Sequence, residues 1–214
     1  MRYRYDMQLH TLDTQLTHMG ELCEAAITKV TQALKDGNTE QAQVVIKEDE
    51  EIDQIEKDIE RLCLKLLLQQ QPVARDLRRI SAALKMITDM ERIGDQASDI
   101  AEIIGFLNGR IGTDAQYICQ MAVAAMRMVT ESVEAYVKRD VAMAEATIQH
   151  DDVVDDLFLK VKESLIQMIS ENPKDGEYAL DLLMIAKYFE RIGDHATNIA
   201  EWVVFSVTGV HEQG

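Results

Sequence analysis

The first apolar stripe of the chain runs Leu9, Leu12, Leu16, Met19, Cys23, Ala26, Val30 and Ala33. Its steps alternate between three and four residues, which lines the apolar groups along one face of a bundled helix. Asp36-Gly37-Asn38 closes the stripe: glycine suits the turn that ends a helix, and Asn38 is a cap for the next one. A second stripe follows at Ile52, Ile55, Ile59, Leu62 and Leu66, stopping near Gln71-Pro72. The residue before a proline avoids helical angles, while the proline itself fits a first turn. A third stripe, Leu77, Ile80, Leu84 and Ile87, continues past Ile104. Each predicted helix has about 30 residues and a length of about 45 Å.

The pattern then restarts. Thr113 with Gln116 reads as a capping box. Ile118, Met121, Ala125, Met128, Ser132 and Ala135 form the fourth stripe. Asp140 is placed to cap a fifth helix running to about Ser170, and Asn172-Pro173 opens a sixth that runs to about Val207. The restart is a repeat. Glu91-Arg92-Ile93-Gly94-Asp95 returns as Glu190-Arg191-Ile192-Gly193-Asp194, and Ile46 with Asp49 to Asp53 returns as Ile148 with Asp151 to Asp155. The predicted fold is all-α: two tandem repeats, residues 1–108 and 109–214, each an antiparallel three-helix bundle. No low-complexity linker separates them, so the bundles are expected to pack end to end or side by side.

Composition narrows the partners. The 214 residues include 10 Gly and 2 Pro, which leaves few turns and long elements. With 38 acidic and 22 basic residues the formal net charge is −16. That balance opposes nucleic acid as the main partner and permits cations. No apolar run approaches the roughly 18 residues of a membrane span. The start, MRYRYDMQLH, has no apolar signal segment, so the expected location is cytoplasmic. Cys23, Cys63 and Cys119 are far apart and form no CxxC pair, which indicates neither a disulfide framework nor a thiolate zinc site.

Acid pairs at helical spacing are common in so acidic a chain, and most are solvated faces. Two groups differ by recurring at matching places in both halves. On the third helix the seam Leu77, Ile80, Leu84, Ile87 steps next to Glu91, then to Asp95, Asp99 and Glu102. On the second helix, counting back from Ile59, Ile55 and Ile52, the seam reaches Asp49, with Asp53 beside it. In the second half Asp151 and Asp155 stand at seam spacing between Ile148 and Phe158, and Glu190 and Asp194 follow Leu183 and Ala186. The apolar stripe is expected to turn acidic on two antiparallel neighbours at one level of each bundle. Converging carboxylates repel unless they protonate, recruit Lys or Arg, or bind cations. Arg92 and Lys57 are expected to point elsewhere, and oxygen donors favour Mg, Mn, Ca or Fe.

Gly94 and Gly193 sit beside the acid pairs at a cost of about 1 kcal/mol against alanine, which suggests a close approach to the helix backbone. His150 and His195 have no counterpart in the first half and read as surface histidines. Arg75, Arg78 and Arg79 cluster near the start of the third helix, where an anion could sit, although a solvated basic edge is the plainer reading. Met121, Met126, Met128 and Met143 fit core filling. No nucleophile stands beside a base and no glycine-rich phosphate loop occurs, so no catalytic residue is assigned.

The segments DLRRISAALKMITDMERIGDQASDIAE and DLLMIAKYFERIGDHATNIAE, with DEEID and DDVVD upstream, resemble the PhoU family of phosphate-specific transport system accessory proteins over essentially the whole chain. The resemblance implies a cytoplasmic negative regulator of phosphate uptake and phosphate-starvation signalling, without enzymatic activity. Its implied partners are the ATPase subunit of the phosphate ABC transporter and a membrane sensor histidine kinase, with the membrane reached only peripherally through them, and a homodimer is the expected assembly. It also implies metal ions, divalent or trivalent and in multinuclear clusters, with Fe, Zn, Mn or Mg as candidates. The implied ligands are Asp49, Asp53, Glu91, Asp95 and Asp99 in the first half, and Asp151, Asp155, Glu190, Asp194 and Asn198 in the second. Asn198 replaces the charge of Asp99, so the second site is expected to bind more weakly. Two alternatives stand beside this reading. One is a metal-free structural helical adaptor. The other is a di-metal carboxylate oxidase, whose template needs Glu-x-x-His motifs that the acidic stretches lack.

Overall fold

A computed structural model describes residues 2–70, 73–107, 109–110 and 115–210. Among these, α1 (Arg2–Asp36), α2 (Thr39–Gln70) and α3 (Ala74–Phe106) form the first repeat. The second holds α4 (Gln116–Lys138), α5 (Val141–Gln149), α6 (Asp151–Glu171) and α7 (Gly176–Thr208), with a 3₁₀ turn over Pro173–Asp175 before α7. The predicted fifth helix is thus broken at His150. There the Val153 amide donates back only three residues, to the His150 carbonyl, and the buried Thr147 hydroxyl bonds the Met143 carbonyl one turn earlier. The three-residue backbone bond replaces the regular four-residue ladder at that point and separates α5 from α6.

Local chemistry sets the ends. Gly37 takes φ +59°, and Asn38 Oδ1 accepts the Gln41 amide at 3.0 Å. Asp140 caps α5 through the Met143 amide, and Asn172 accepts the Lys174 amide ahead of α7. Gln71-Pro72 and Thr113 of the capping box lie outside the described residues.

Every position of the α1 stripe is buried. The α3 stripe needs correction. Leu77 is 45% exposed and Leu84 half-buried, while Ile80, Ala83, Ile87, Met90, Ile93, Ala97 and Ile100 form the buried face. The reason is topology. Helix α3 packs against α1, α2 and, most extensively of all, α7 of the other repeat, so its buried face is wide and turned toward α7. Helix α1 likewise packs on α4. The repeats therefore lie side by side around one continuous core.

Candidate metal centre

The antiparallel pairing of α2 and α3 brings the two acidic stretches together. Asp49 occupies the α2 seam between buried Val45 and Ile52. Its carboxylate lies against the backbone of α3 at Gly94, where an added Cβ would stand 2.6 Å from Asp49 Oδ1 and 2.9 Å from Ile52 Cδ1. The glycine is therefore a cradle for a carboxylate. Asp49 Oδ1 is buried and has no hydrogen-bond partner. Burial first, then the charges of Asp95, Asp53, Glu91 and Asp99, push the Asp49 carboxyl up to about 6.

The rest of the set rims this point. Glu91, Asp95 and Asp99 are half-buried, because the buried face of α3 continues through Met90, Ile93 and Ala97. The expected turn of the core stripe into acid thus holds for Asp49 on α2, while on α3 the acids run along the edge of the core. Glu91 and Asp99 are raised, each by burial and then by a neighbouring acid, Asp95 for Glu91 and Glu102 for Asp99. Contrary to expectation, Lys57 and Arg92 do reach the acids. Lys57 Nζ is 3.6 Å from Asp53, and Arg92 is 3.5 Å from Glu91 and 3.7 Å from Asp95. These loose, exposed pairs contribute about 0–1 kcal/mol each.

The second repeat reproduces the cradle. A Cβ on Gly193 would lie 3.2 Å from Asp151 Oδ1. Asp151 is raised to about 6 by burial and then by Asp194, Asp155, Asp152 and Glu190. Asp155 and Asp194 are exposed, both raised by burial and then by Glu190. Here Lys187 pairs with Glu190 and lies 5.6 Å over the Phe158 ring, where the first repeat has Thr88 and Glu56. An internal cation therefore already offsets part of the second cluster.

Asp99 and Asn198 have a partly different role. The Asn198 amide donates to Asp89 Oδ1 at 3.0 Å, and His195 Nδ1 meets the same oxygen at 2.9 Å. At the matching place, the Tyr188 hydroxyl hydrogen-bonds Asp99. Both residues thus join α3 to α7. His150 is held by Glu131 at 3.0 Å. Neither histidine is the free surface residue expected from sequence. Glu56 and Asp152 were missed as members of the two charge clusters. Glu56 follows Asp49 and Asp53 at steps of four and three, a signal present in the sequence.

Oxygen-only donors, an orphaned buried carboxylate oxygen and a cradle that a Cβ would fill suit a hard cation at the first cluster. Among the described residues, no three His, Cys, Asp or Glu side chains are already gathered around one point. Holding an ion would therefore take rotation of the half-buried acids toward Asp49.

The PhoU domain family matches this chain twice, over residues 16–104 and 118–203. The chain belongs to the PhoU family. A PhoU homologue from Clostridium acetobutylicum, named a phosphate-specific transport system accessory protein, is 36% identical over 96% of this chain and 94% of its own length. One from Aquifex aeolicus with the same name is 36% identical over 86% of this chain and 84% of its own. The crystal structure of PhoU from Pseudomonas aeruginosa superposes with a TM-score of 0.91 at 32% identity, covering 96% of this chain and all of that one. The phosphate transport system regulatory protein PhoU from Streptococcus pneumoniae gives 0.88 at 25% identity, covering 98% and 99%. The tandem all-α architecture read from the repeats is that of these PhoU structures.

Proposed function

We propose that this protein is a negative regulator of phosphate uptake and phosphate-starvation signalling. It acts in the cytoplasm as an adaptor between the ATPase of a phosphate ABC transporter and a sensor histidine kinase. Full-length similarity to proteins named as accessory to phosphate-specific transport supports the setting. The long helices offer rigid faces for contact, and the −16 charge favours basic docking surfaces. Among the described residues, no helix is long and apolar enough to cross a membrane, which fits recruitment through partners. Signalling by contact requires a different affinity for two states of the transporter, and that difference is what the adaptor passes on.

The orphaned Asp49 carboxylate on the Gly94 cradle is the observation that favours cation binding over the metal-free adaptor. Asp49, Asp53, Glu91 and Asp95 would hold the ion, with Asp99 beside them. Asp151, Asp155, Glu190 and Asp194 form the weaker counterpart, with Asn198 drawn away toward Asp89. A bound cation supplies positive charge that neutralises the cluster and ties α2 to α3. Elemental analysis of protein purified without chelator tests this. Metal that disappears on Asp49→Asn with helix content intact is the expected result, and unchanged metal content rejects the site. Phosphate-starvation genes that stay repressed at high phosphate after deletion of the gene would reject the regulatory role.

A further inference from the structure

The first turns of α3, the end of α4 and the end of α7 enclose a cavity of about 200 Å³ lined by Arg75, Arg78, Arg79, Arg139, Tyr136 and Ser206. We infer that this cavity binds a phosphate-type tetrahedral oxyanion. It is separate from the acidic clusters, and the inference does not depend on a metal being bound there.

Arg79 is fixed. Its guanidinium pairs with Asp13, and its carbonyl accepts from the Tyr136 hydroxyl at 3.1 Å. Arg75, Arg78 and Arg139 have no ion-pair partner among the described residues, and Arg78 Nε is buried without an acceptor. Among the described residues, no acid lines the cavity. Asp6, Asp13 and Asp76 line the neighbouring open hollow, which shares Arg75, Arg79 and Arg139 with it. Like charges converging on one space are unfavourable unless an anion joins them. Guanidinium forks approaching from two elements match the oxygens of a phosphate.

The internal repeat supplies a control for fold. The positions matching Arg75, Arg78 and Arg79 are Lys174, Glu177 and Tyr178. The same corner of the bundle therefore forms without an arginine cluster. The position matching Arg139 is Gly37. Both are left-handed, φ +58° for Arg139 and φ +59° for Gly37, and only glycine adopts this region without strain. The second repeat places an arginine at a turn that favours glycine, and that arginine faces the cavity. Helix packing alone accounts for neither choice.

Calorimetric titration of the full chain with inorganic phosphate at low salt tests the assignment, with sulfate and phenyl phosphate as comparators. The expected result is saturable binding at one site that weakens with added salt. It falls about tenfold or more in Arg78→Gln. Arg139→Gly is the decisive variant: it should melt no lower than the parent, because the strained turn is relieved, yet bind phosphate more weakly. Tighter binding of phenyl phosphate would mean that the site takes a terminal phosphate of a larger molecule. Tighter binding of inorganic phosphate would mean that it takes the free ion. Absence of saturation at millimolar concentrations, or equal affinity in parent and both variants, overturns the inference.

Discussion

Asp49→Asn should stabilise the metal-stripped protein at neutral pH and destabilise the metal-loaded one. The Asp49 carboxyl is raised from 3.8 to about 6, first by burial and then by the acids around it. A carboxyl raised in the folded state favours folding while protonated. That contribution is complete below pH 3.8 and is lost as pH rises through 6, so at pH 7.5 the charged group opposes folding. At about 1.4 kcal/mol per pKa unit the full effect is about 3 kcal/mol. Solvent reaches this half-buried group and screens its neighbours, which reduces the net effect to on the order of 1 kcal/mol. Asparagine keeps the shape and removes the charge. Urea denaturation of chelator-treated protein should show the Asn variant with a higher midpoint and an unchanged slope at pH 7.5, and the two curves merging near pH 4. With saturating cation the order should reverse, because only the carboxylate gains from the ion. If the chelated Asn variant is the less stable protein at pH 7.5, the carboxylate makes a net favourable contact and the repulsion argument fails.

The two glycines should respond differently to alanine. Gly94→Ala forces Asp49 and Ile52 to shift from contacts of 2.6 and 2.9 Å, so overpacking of about 1–3 kcal/mol outweighs the helix gain of about 1 kcal/mol. Gly193→Ala meets Asp151 at 3.2 Å and should be near neutral, and the midpoints of the two variants check this. Asp89→Ala removes the shared acceptor of His195 and Asn198 and should cost about 1–3 kcal/mol in thermal unfolding. In cell fractionation the protein should accompany membranes when the transporter is present and become mostly soluble when it is deleted, and equal membrane binding in both strains would count against the adaptor reading.

Most of the fold was written in periodicity and caps. The α1 stripe, Asn38, Asp140 and Asn172 behave as their residue types dictate. The doubled acid-glycine segments gave the repeat and the meeting of α2 with α3. What failed did so because it depends on the neighbouring repeat. One helix has no way to show that α7 will cover its flank, so Leu77 was assigned to the core and Glu91 to the seam. The break at His150 is a local change of backbone hydrogen bonding, in which the Val153 amide turns to the His150 carbonyl, and it leaves the apolar spacing undisturbed. Arg79 read as a solvated edge, yet its side chain is only 12% exposed, because its partner Asp13 lies 66 residues earlier. The charge relations of Lys57, Arg92 and Lys187 depend on side-chain reach, which spacing constrains weakly.

The contacts between α3 and α7 come in matched halves. Asp89 with Asn198 and Tyr188 with Asp99 occupy exchanged positions, since each member of one pair corresponds to a member of the other at an offset of 99. The single chain is thus arranged as a two-fold dimer of its own repeats. A true dimer of identical repeats must present the same chemistry at both ends. Covalent fusion removes that obligation. One corner can carry Arg75, Arg78 and Arg139 while its twin carries Lys174, Glu177 and Gly37, and one acid cluster can meet only the loose pairs of Lys57 and Arg92 while Lys187 pairs closely within the other. The molecule thereby acquires a head and a tail, and any body that docks on it can tell which end it has met.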